Sequence, residues 1–210
     1  MLPFAALTVA ATAALLVAER FGWRPGVWIA KPLASAGFVA AALAAGALDS
    51  GYGTWLLGGL LLAALGDVLL IPRGAHVAFL AGLVSFLLGH VAYAIAFAVR
   101  GLDISACLIA ALAVLPASLL ALRSIFPHVP VRLQRPVLAY LVVISGMLVC
   151  AFGTVGHEPR RAIALGAAAF YLSDLAVARE RFVAKSFSNK LWGLPLYFGA
   201  QLLLASTVAG

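Results

Sequence analysis

Eight apolar stretches, each close to the length of a membrane-spanning helix, constrain the fold of this chain more than any other feature. A helix needs about 20 apolar residues to cross the hydrocarbon core of a bilayer, and short polar turns separate the stretches. Hydrophobic residues make up 65% of the 210 residues and charged residues 10%, which excludes an ordinary soluble domain. The strand-period alternation typical of a membrane barrel is absent from the sequence.

The stretches predict an all-α fold, a polytopic membrane helix bundle with eight transmembrane helices. We expect a single integral membrane domain over residues 1–210, because the apolar stretches leave no room for a separate soluble domain. The expected spans lie near 3–19, 28–48, 53–71, 76–99, 104–122, 136–155, 161–178 and 191–208.

Positive charge is distributed unevenly between the two sets of turns. Turns after spans one, three, five and seven, with the adjoining span ends, hold eleven of the 14 Lys and Arg residues. Because cytoplasmic loops concentrate basic residues, we expect both termini outside and the basic turns in the cytoplasm. We therefore attribute the net charge of +7 to the basic cytoplasmic turns of a membrane protein and not to nucleic-acid binding. The Ala- and Arg-rich composition favours a bacterial inner membrane, and no obligate protein partner is expected.

Two aspartates lie inside apolar stretches that run in the same direction. Asp67 stands five residues before Pro72, and Asp174 stands five residues before Arg179. At a rise of 1.5 Å per residue, both lie roughly 7–8 Å from the cytoplasmic ends of their spans. A carboxylate in hydrocarbon is costly and persists only with a partner or a task. Two carboxyls that share an apolar site do not both ionise easily, so the pair supplies a general acid and a general base.

A weak internal repeat relates the two halves of the chain. Lys31-Pro32 opens the second span, and Arg135-Pro136 opens the sixth, 104 residues later. Asp67 and Asp174 are 107 residues apart. Four spans per unit preserve orientation, so the hypothesis is a 4+4 parallel repeat with its axis along the membrane normal. That axis would bring the two aspartates face to face, although chance similarity remains the alternative because the identities are few.

The fourth span carries a histidine within an aromatic face that consists of Phe79, Phe86, His90, Tyr93 and Phe97. Packing explains the phenylalanines, but an imidazole in the membrane needs a polar partner. His90 is therefore expected to orient a carboxylate or to bind a substrate oxygen.

Three further polar residues lie in the last two spans. Tyr171 is one turn before Asp174 on the same helical face, and Tyr197 and Gln201 are one turn apart in span eight. They are candidates for binding substrate, or they hydrogen-bond neighbouring helices, as polar residues in membrane bundles usually do.

Lys31, Asn189 and Lys190 lie at the cytoplasmic ends of their spans. Cations there either reach for lipid phosphate or form a mouth that holds a phosphate headgroup near the carboxylates. The sequence contains no GxSxG and no HxxxH pattern, so it lacks the residues that a serine hydrolase or a zinc hydrolase of these types would need. Neither a metal nor an organic cofactor is expected.

Read in order, the motifs resemble the YhhN family, a lysoplasmalogenase-type membrane family. The ordered set consists of Lys31-Pro32-Leu33, Gly66-Asp67-Val68-Leu69-Leu70, Gly89-His90-Val91-Ala92-Tyr93, Gly166 with Ser173-Asp174, and Pro195-Leu196-Tyr197 with Gln201. The resemblance runs through most of the chain, but the first span and the loop from Arg123 to Arg135 carry no signature.

The resemblance implies hydrolysis of the vinyl-ether bond of lysoplasmalogens to a fatty aldehyde and glycerophosphoethanolamine or glycerophosphocholine. The substrate is then a lysophospholipid within the bilayer, surrounded by membrane lipids. The catalytic pair would be Asp67 and Asp174, with Asp174 as the acid in our hypothesis. The site would be lined by Lys31, His90, Tyr93, Asn189, Tyr197 and Gln201, and Tyr171 is added as the residue beside Asp174.

Two other functions use the same residues. A proton-coupled transporter or lipid flippase would employ the aspartates as a proton relay, and would move its substrate without cleaving a bond. A non-catalytic membrane scaffold would use them only to lock helices together.

Overall fold

A computed structural model of the chain describes residues 1–72, 74–154 and 160–209, without the side chain of Arg160. Within these ranges, eight helices are long and apolar enough to cross a membrane, which confirms the predicted bundle. Arg73, one of the counted basic residues, lies outside the described residues. The helices are α1 Leu2–Arg20, α2 Arg24–Ala44, α3 Gly51–Leu69, α4 His76–Arg100, α5 Ile104–Ile125, α6 Val131–Gly153, α7 Arg160–Ala178 and α8 Phe187–Ser206.

Local signals explain where the helices begin and end. Helix α2 ends four residues before the sequence-based boundary, because the chain reverses at Gly46, whose φ of +84° favours glycine. Helix α3 then begins after Ser50, whose side chain accepts a hydrogen bond from the Gly53 amide. Helix α8 begins four residues earlier than expected, after the capping residue Ser186. A π-helical turn, Arg179–Val183, extends α7 toward the α7–α8 connection.

The helix packing follows the pattern that a 4+4 repeat predicts. Helices pair as α1–α2, α3–α4, α5–α6 and α7–α8, and α4 packs against α6 as α8 packs against α2. Helix α2 also packs on α3 as α6 packs on α7. The symmetry breaks at one helix: α1 packs against both α2 and α8, whereas its counterpart α5 packs mainly against α6.

Aromatic side chains fill the centre of the bundle. The Phe170 ring of α7 contacts Phe86, His90 and Tyr93 of α4 and Tyr197 of α8. Aromatic packing of this kind fixes ring positions as well as burying area. The rings therefore hold α4, α7 and α8 in register around the polar residues described next.

Candidate active site

A cavity of about 590 Å³ enters the bundle from the end that carries the basic turns. Its mouth is lined by Arg24 at the start of α2, by Pro72 of the α3–α4 connection and by Lys185 of the α7–α8 connection. Both Asp67 and Asp174 line the same cavity deeper in the bundle. The helix order explains this: α3 and α7 both end at the basic side, and each carries its aspartate close to that end.

Asp67 is buried among hydrogen-bond donors and one cation. The Lys31 Nζ atom lies 3.1 Å from Asp67 Oδ1 and donates to the Asp67 backbone carbonyl at 3.0 Å. That carbonyl is one of the last four of α3, which have no partner within the helix. The Ser35 hydroxyl and the Tyr197 hydroxyl each donate to Asp67 Oδ2 at 2.7 Å. The Asp67 carboxyl group is thus enclosed by two hydroxyl donors and one lysine.

Asp174 has a different set of partners. The Tyr140 hydroxyl donates to Asp174 Oδ2 at 2.6 Å, and His90 Nε2 lies 3.6 Å from the same oxygen. Among the described residues, no lysine or arginine forms an ion pair with Asp174. Arg135, the repeat counterpart of Lys31, is exposed. The two carboxyls, equivalent by sequence, therefore have chemically unequal surroundings.

The tautomer of His90 follows from its hydrogen bond within α4. Nδ1 lies 2.7 Å from the Phe86 carbonyl oxygen, which only accepts, so Nδ1 carries the hydrogen. Nε2 of the neutral ring is then an acceptor. The ring is buried, and Nε2 has no hydrogen-bond partner among the described residues. Because Nε2 lies 3.6 Å from Asp174 Oδ2, it is placed to accept a hydrogen bond from the protonated carboxyl or from a water between them.

The contacts to the two aspartates cross between the halves of the chain. Tyr197 of α8 binds Asp67 of α3, and His90 of α4 approaches Asp174 of α7. His90 and Tyr197 are 107 residues apart, the same separation as the two aspartates. This arrangement is the one expected from a two-fold repeat.

The cavity mouth contains charges of both signs. Lys190 Nζ lies 2.6 Å from Glu19 Oε2 and 3.8 Å from Glu180 Oε1. Asn189 Nδ2 donates to Glu180 Oε2 at 3.0 Å and to the Ala184 carbonyl at 2.8 Å. The predicted cationic mouth is thus a mixed cluster, in which two glutamates bracket the lysine.

The other predicted site residues occupy two places. Tyr171 lines the cavity, while its hydroxyl lies 3.0 Å from Ser118 Oγ on α5. Tyr93 and Gln201 do not line the cavity. They lie behind it, where the Tyr93 hydroxyl donates to Gln201 Oε1 at 2.7 Å. His90 likewise lies behind the wall and reaches the site only through Asp174.

Sequence reasoning missed several residues that contact the aspartates or the mouth. Ser35 is one helical turn after Lys31, so its position on the same face was a usable signal. Tyr140 carried only a weak signal, although it makes the shortest hydrogen bond to Asp174. Glu19 and Glu180 carried none, because their meeting at Lys190 depends on the packing of α1 against α8 and on the path of the α7–α8 connection. No group of three His, Cys, Asp or Glu side chains able to hold a metal ion occurs among the described residues.

Comparison with known proteins gives one family and one curated relative. The family model described as the YhhN family matches residues 26–208. Lysoplasmalogenase TMEM86B of Sus scrofa is 31% identical over 160 residues, which are 76% of this chain and 65% of that protein. The chain therefore covers less than two thirds of that relative's length. No solved structure is a significant match.

Proposed function

This chain belongs to the YhhN family, and from that premise we propose that it is a lysoplasmalogenase. Its substrate would be a lysophospholipid with a vinyl-ether chain, and its products a fatty aldehyde and glycerophosphoethanolamine or glycerophosphocholine. The observation that carries the proposal is the pair of unequal carboxyls, Asp67 and Asp174, in one cavity within a membrane bundle. The likeness to a mammalian lysoplasmalogenase supports it.

Asp174 is the general acid in this proposal. Its partners are a hydroxyl and the Nε2 atom of His90, and no cation among the described residues neutralises it. An apolar site without a cation favours the neutral carboxyl, which can donate a proton. The side chain is 16% exposed, against 2% for Asp67, so it is the more accessible of the two from the cavity.

Asp67 is the anionic partner. Lys31, Ser35 and Tyr197 occupy three of the roughly four acceptor positions of a carboxylate. One position remains for a water molecule, and the negative charge stabilises a cation formed nearby. The division of roles resembles that of the two carboxyls in glycosidases.

The reaction needs only these groups and one water. Asp174 transfers its proton to the β-carbon, so the double bond becomes a single bond and an oxocarbenium ion forms at the ether oxygen. Water adds to the α-carbon and passes one proton to Asp67. The hemiacetal then passes its hydroxyl proton to Asp174 as its C–O bond to glycerol breaks, and the glycerol oxygen takes the proton held by Asp67. One water is consumed, and the site recovers its original protons.

The mouth suits the polar end of such a substrate. A zwitterionic headgroup carries a phosphate and an ammonium, and the mouth offers Lys190 and Lys185 beside Glu19 and Glu180. We further propose that this mouth faces the cytoplasm, in accordance with the distribution of basic residues.

The proposal is tested by aldehyde release from purified protein in detergent. A defined lysoplasmalogen is the substrate, and the saturated 1-alkyl lyso-ether is the control. Aldehyde from the vinyl ether alone would establish a hydrolase that protonates the double bond. No release from protein shown to be folded would reject the proposal and direct attention to lipid or solute transport in proteoliposomes.

A further inference from the structure

A second cavity, which we call the α5–α6 cleft, opens on the membrane-facing side of the bundle. It has a volume of about 320 Å³ and lies between α5 and α6, with Leu115 and Leu119 on one wall and Leu138 and Val142 on the other. These four side chains are exposed, as expected for residues that face lipid. The cleft is therefore open to hydrocarbon along the bundle surface.

The cleft adjoins the active-site cavity through two leucines. Leu122 of α5 and Leu141 of α6 line both cavities. Tyr140, the residue before Leu141, binds Asp174, so this shared wall lies at the depth of the carboxyls. These two leucines therefore form part of a wall with the active-site cavity on one side and the lipid-facing cleft on the other.

The repeat shows why the cleft exists in one half of the molecule. In the first half, α1 packs closely on α2 at Gly37, where an added Cβ would collide with Thr8 Oγ1 and lie 3.0 Å from the Phe4 carbonyl oxygen. The counterpart of Gly37 in α6, 104 residues later, is Leu141. Leucine is bulkier than glycine, so we infer that α5 and α6 cannot approach at Leu141 as closely as α1 and α2 do at Gly37, which leaves room for the cleft.

The polar atoms of the cleft are satisfied within the protein. Ser118 Oγ donates to the Val114 carbonyl at 2.9 Å and lies 2.9 Å from Ser145 Oγ and 3.0 Å from the Tyr171 hydroxyl. The Ser118 hydroxyl thereby uses its one donor position and both of its acceptor positions. The remaining lining is apolar, so the chemistry of the cleft suits a hydrocarbon chain and no polar ligand.

We propose that the α5–α6 cleft binds the hydrocarbon chain of the lysolipid substrate. This inference rests on the proposed function: with the headgroup at the mouth and the vinyl ether at the carboxyls, the single chain must leave the site at their depth. The cleft begins there and runs from Leu138 to Val149, about 16 Å along α6. The chain would pass between Leu122 and Leu141 and lie between the two helices, with one side toward lipid.

Gly146 provides the test, because it lines the far part of the cleft and an added Cβ there would meet nothing within 4 Å. Gly146→Leu should lower kcat/KM for a long-chain lysoplasmalogen by about tenfold and that for a short-chain one by no more than about twofold. Gly146→Ala should give an intermediate loss. The matched control is Gly199→Leu, also exposed in a helix with open space beside it, which should change neither value.

Equal losses for both chain lengths, or no loss for either, would overturn the cleft as a chain site. If the wild-type protein cleaves no vinyl ether, the proposed function itself fails, and the cleft is then tested without catalysis. The probe is a saturated 1-alkyl lysophospholipid with a photoreactive diazirine at the chain end. Crosslinks confined to α5 and α6 and suppressed by unlabelled lysolipid would support the inference. Crosslinks spread over all lipid-facing helices would show ordinary lipid contact and overturn it.

Discussion

At the scale of single residues, Asp67 and Asp174 show how one sequence motif comes to lie in two different environments. Each follows a small residue near the end of a span, but only Asp67 meets a lysine. The counterpart of Lys31 is Arg135, which is exposed and leaves Asp174 with Tyr140 and His90. The proposed roles of acid and base therefore follow from the neighbouring residues and not from the aspartates themselves.

Replacing either aspartate by asparagine should lower turnover by at least about 100-fold, because each variant removes a proton-transferring group. Aldehyde release measures the loss, and thermal unfolding in detergent shows whether the variant is folded. Asp49→Asn, at an exposed turn on the opposite end of the bundle, is the control and should retain wild-type activity. Near-normal turnover in Asp67→Asn or Asp174→Asn would contradict the dyad.

Lys31→Met should destabilise the fold by about 3 kcal/mol, because it leaves the buried Asp67 carboxylate without its cation. The double variant Lys31→Met/Asp67→Asn should recover most of that loss, since no buried charge remains. Unfolding in mixed detergent micelles compares the three proteins. A double variant no more stable than Lys31→Met would show that the ion pair is not the source of the effect.

Much of the site could be predicted from single residues. The cost of a charge in hydrocarbon singles out the aspartates and His90, and helical spacing places Tyr171 beside Asp174. Lys31 was predicted at the cytoplasmic end of its span, and the family resemblance made it a site residue. Spacing along one helix does not show which other helix lies opposite. That is why Tyr140, which carried only a weak signal, was not expected beside Asp174, and why the glutamates around Lys190 were missed. It is also why Tyr93 and Gln201 were expected in a cavity that they do not line.

At the scale of helices, α1 and α5 occupy equivalent positions but pack differently. The number and approximate extent of the helices could be predicted, because the membrane thickness sets their length. Their ends could not, since these depend on caps such as Ser50 and Ser186 and on the Gly46 turn. The loose packing of α5 was also unpredicted, because apolar composition does not distinguish lipid contact from helix contact.

Gly37→Leu should destabilise the protein by about 1–3 kcal/mol, because the new side chain would force α1 away from α2. Thermal unfolding in detergent measures the change. Gly58→Leu, at a helical glycine with open space around it, is the matched control and should leave stability nearly unchanged. Equal stability of the two variants would contradict close α1–α2 packing as the reason for glycine at this position.

At the scale of the whole molecule, the active-site cavity opens at the end of the bundle that carries the basic turns. Its mouth lies among the basic turns, and the proposed orientation places that end in the cytoplasm. We therefore expect Lys185→Cys and Asp49→Cys, both at exposed positions, to be accessible from opposite sides of the membrane.

In a background with Cys107 and Cys150 replaced by serine, an impermeant maleimide should label Asp49→Cys in intact spheroplasts. It should label Lys185→Cys only after permeabilisation. The cysteine-free parent controls for background labelling. The reverse pattern would place both termini in the cytoplasm and contradict the proposed orientation.

The layer of buried side chains behind the two carboxyls affects how a transmembrane voltage is distributed across the protein. Tyr93, Gln201, Phe38 and Phe97 are fully buried there, so little water extends from the site toward the far end of the bundle. Most of a transmembrane voltage then falls across this layer, and a proton that reaches Asp174 from the mouth crosses only a small part of it. Turnover in vesicles should be nearly the same with and without a potassium diffusion potential, whereas a carrier that moves protons across the whole bilayer would respond to the voltage.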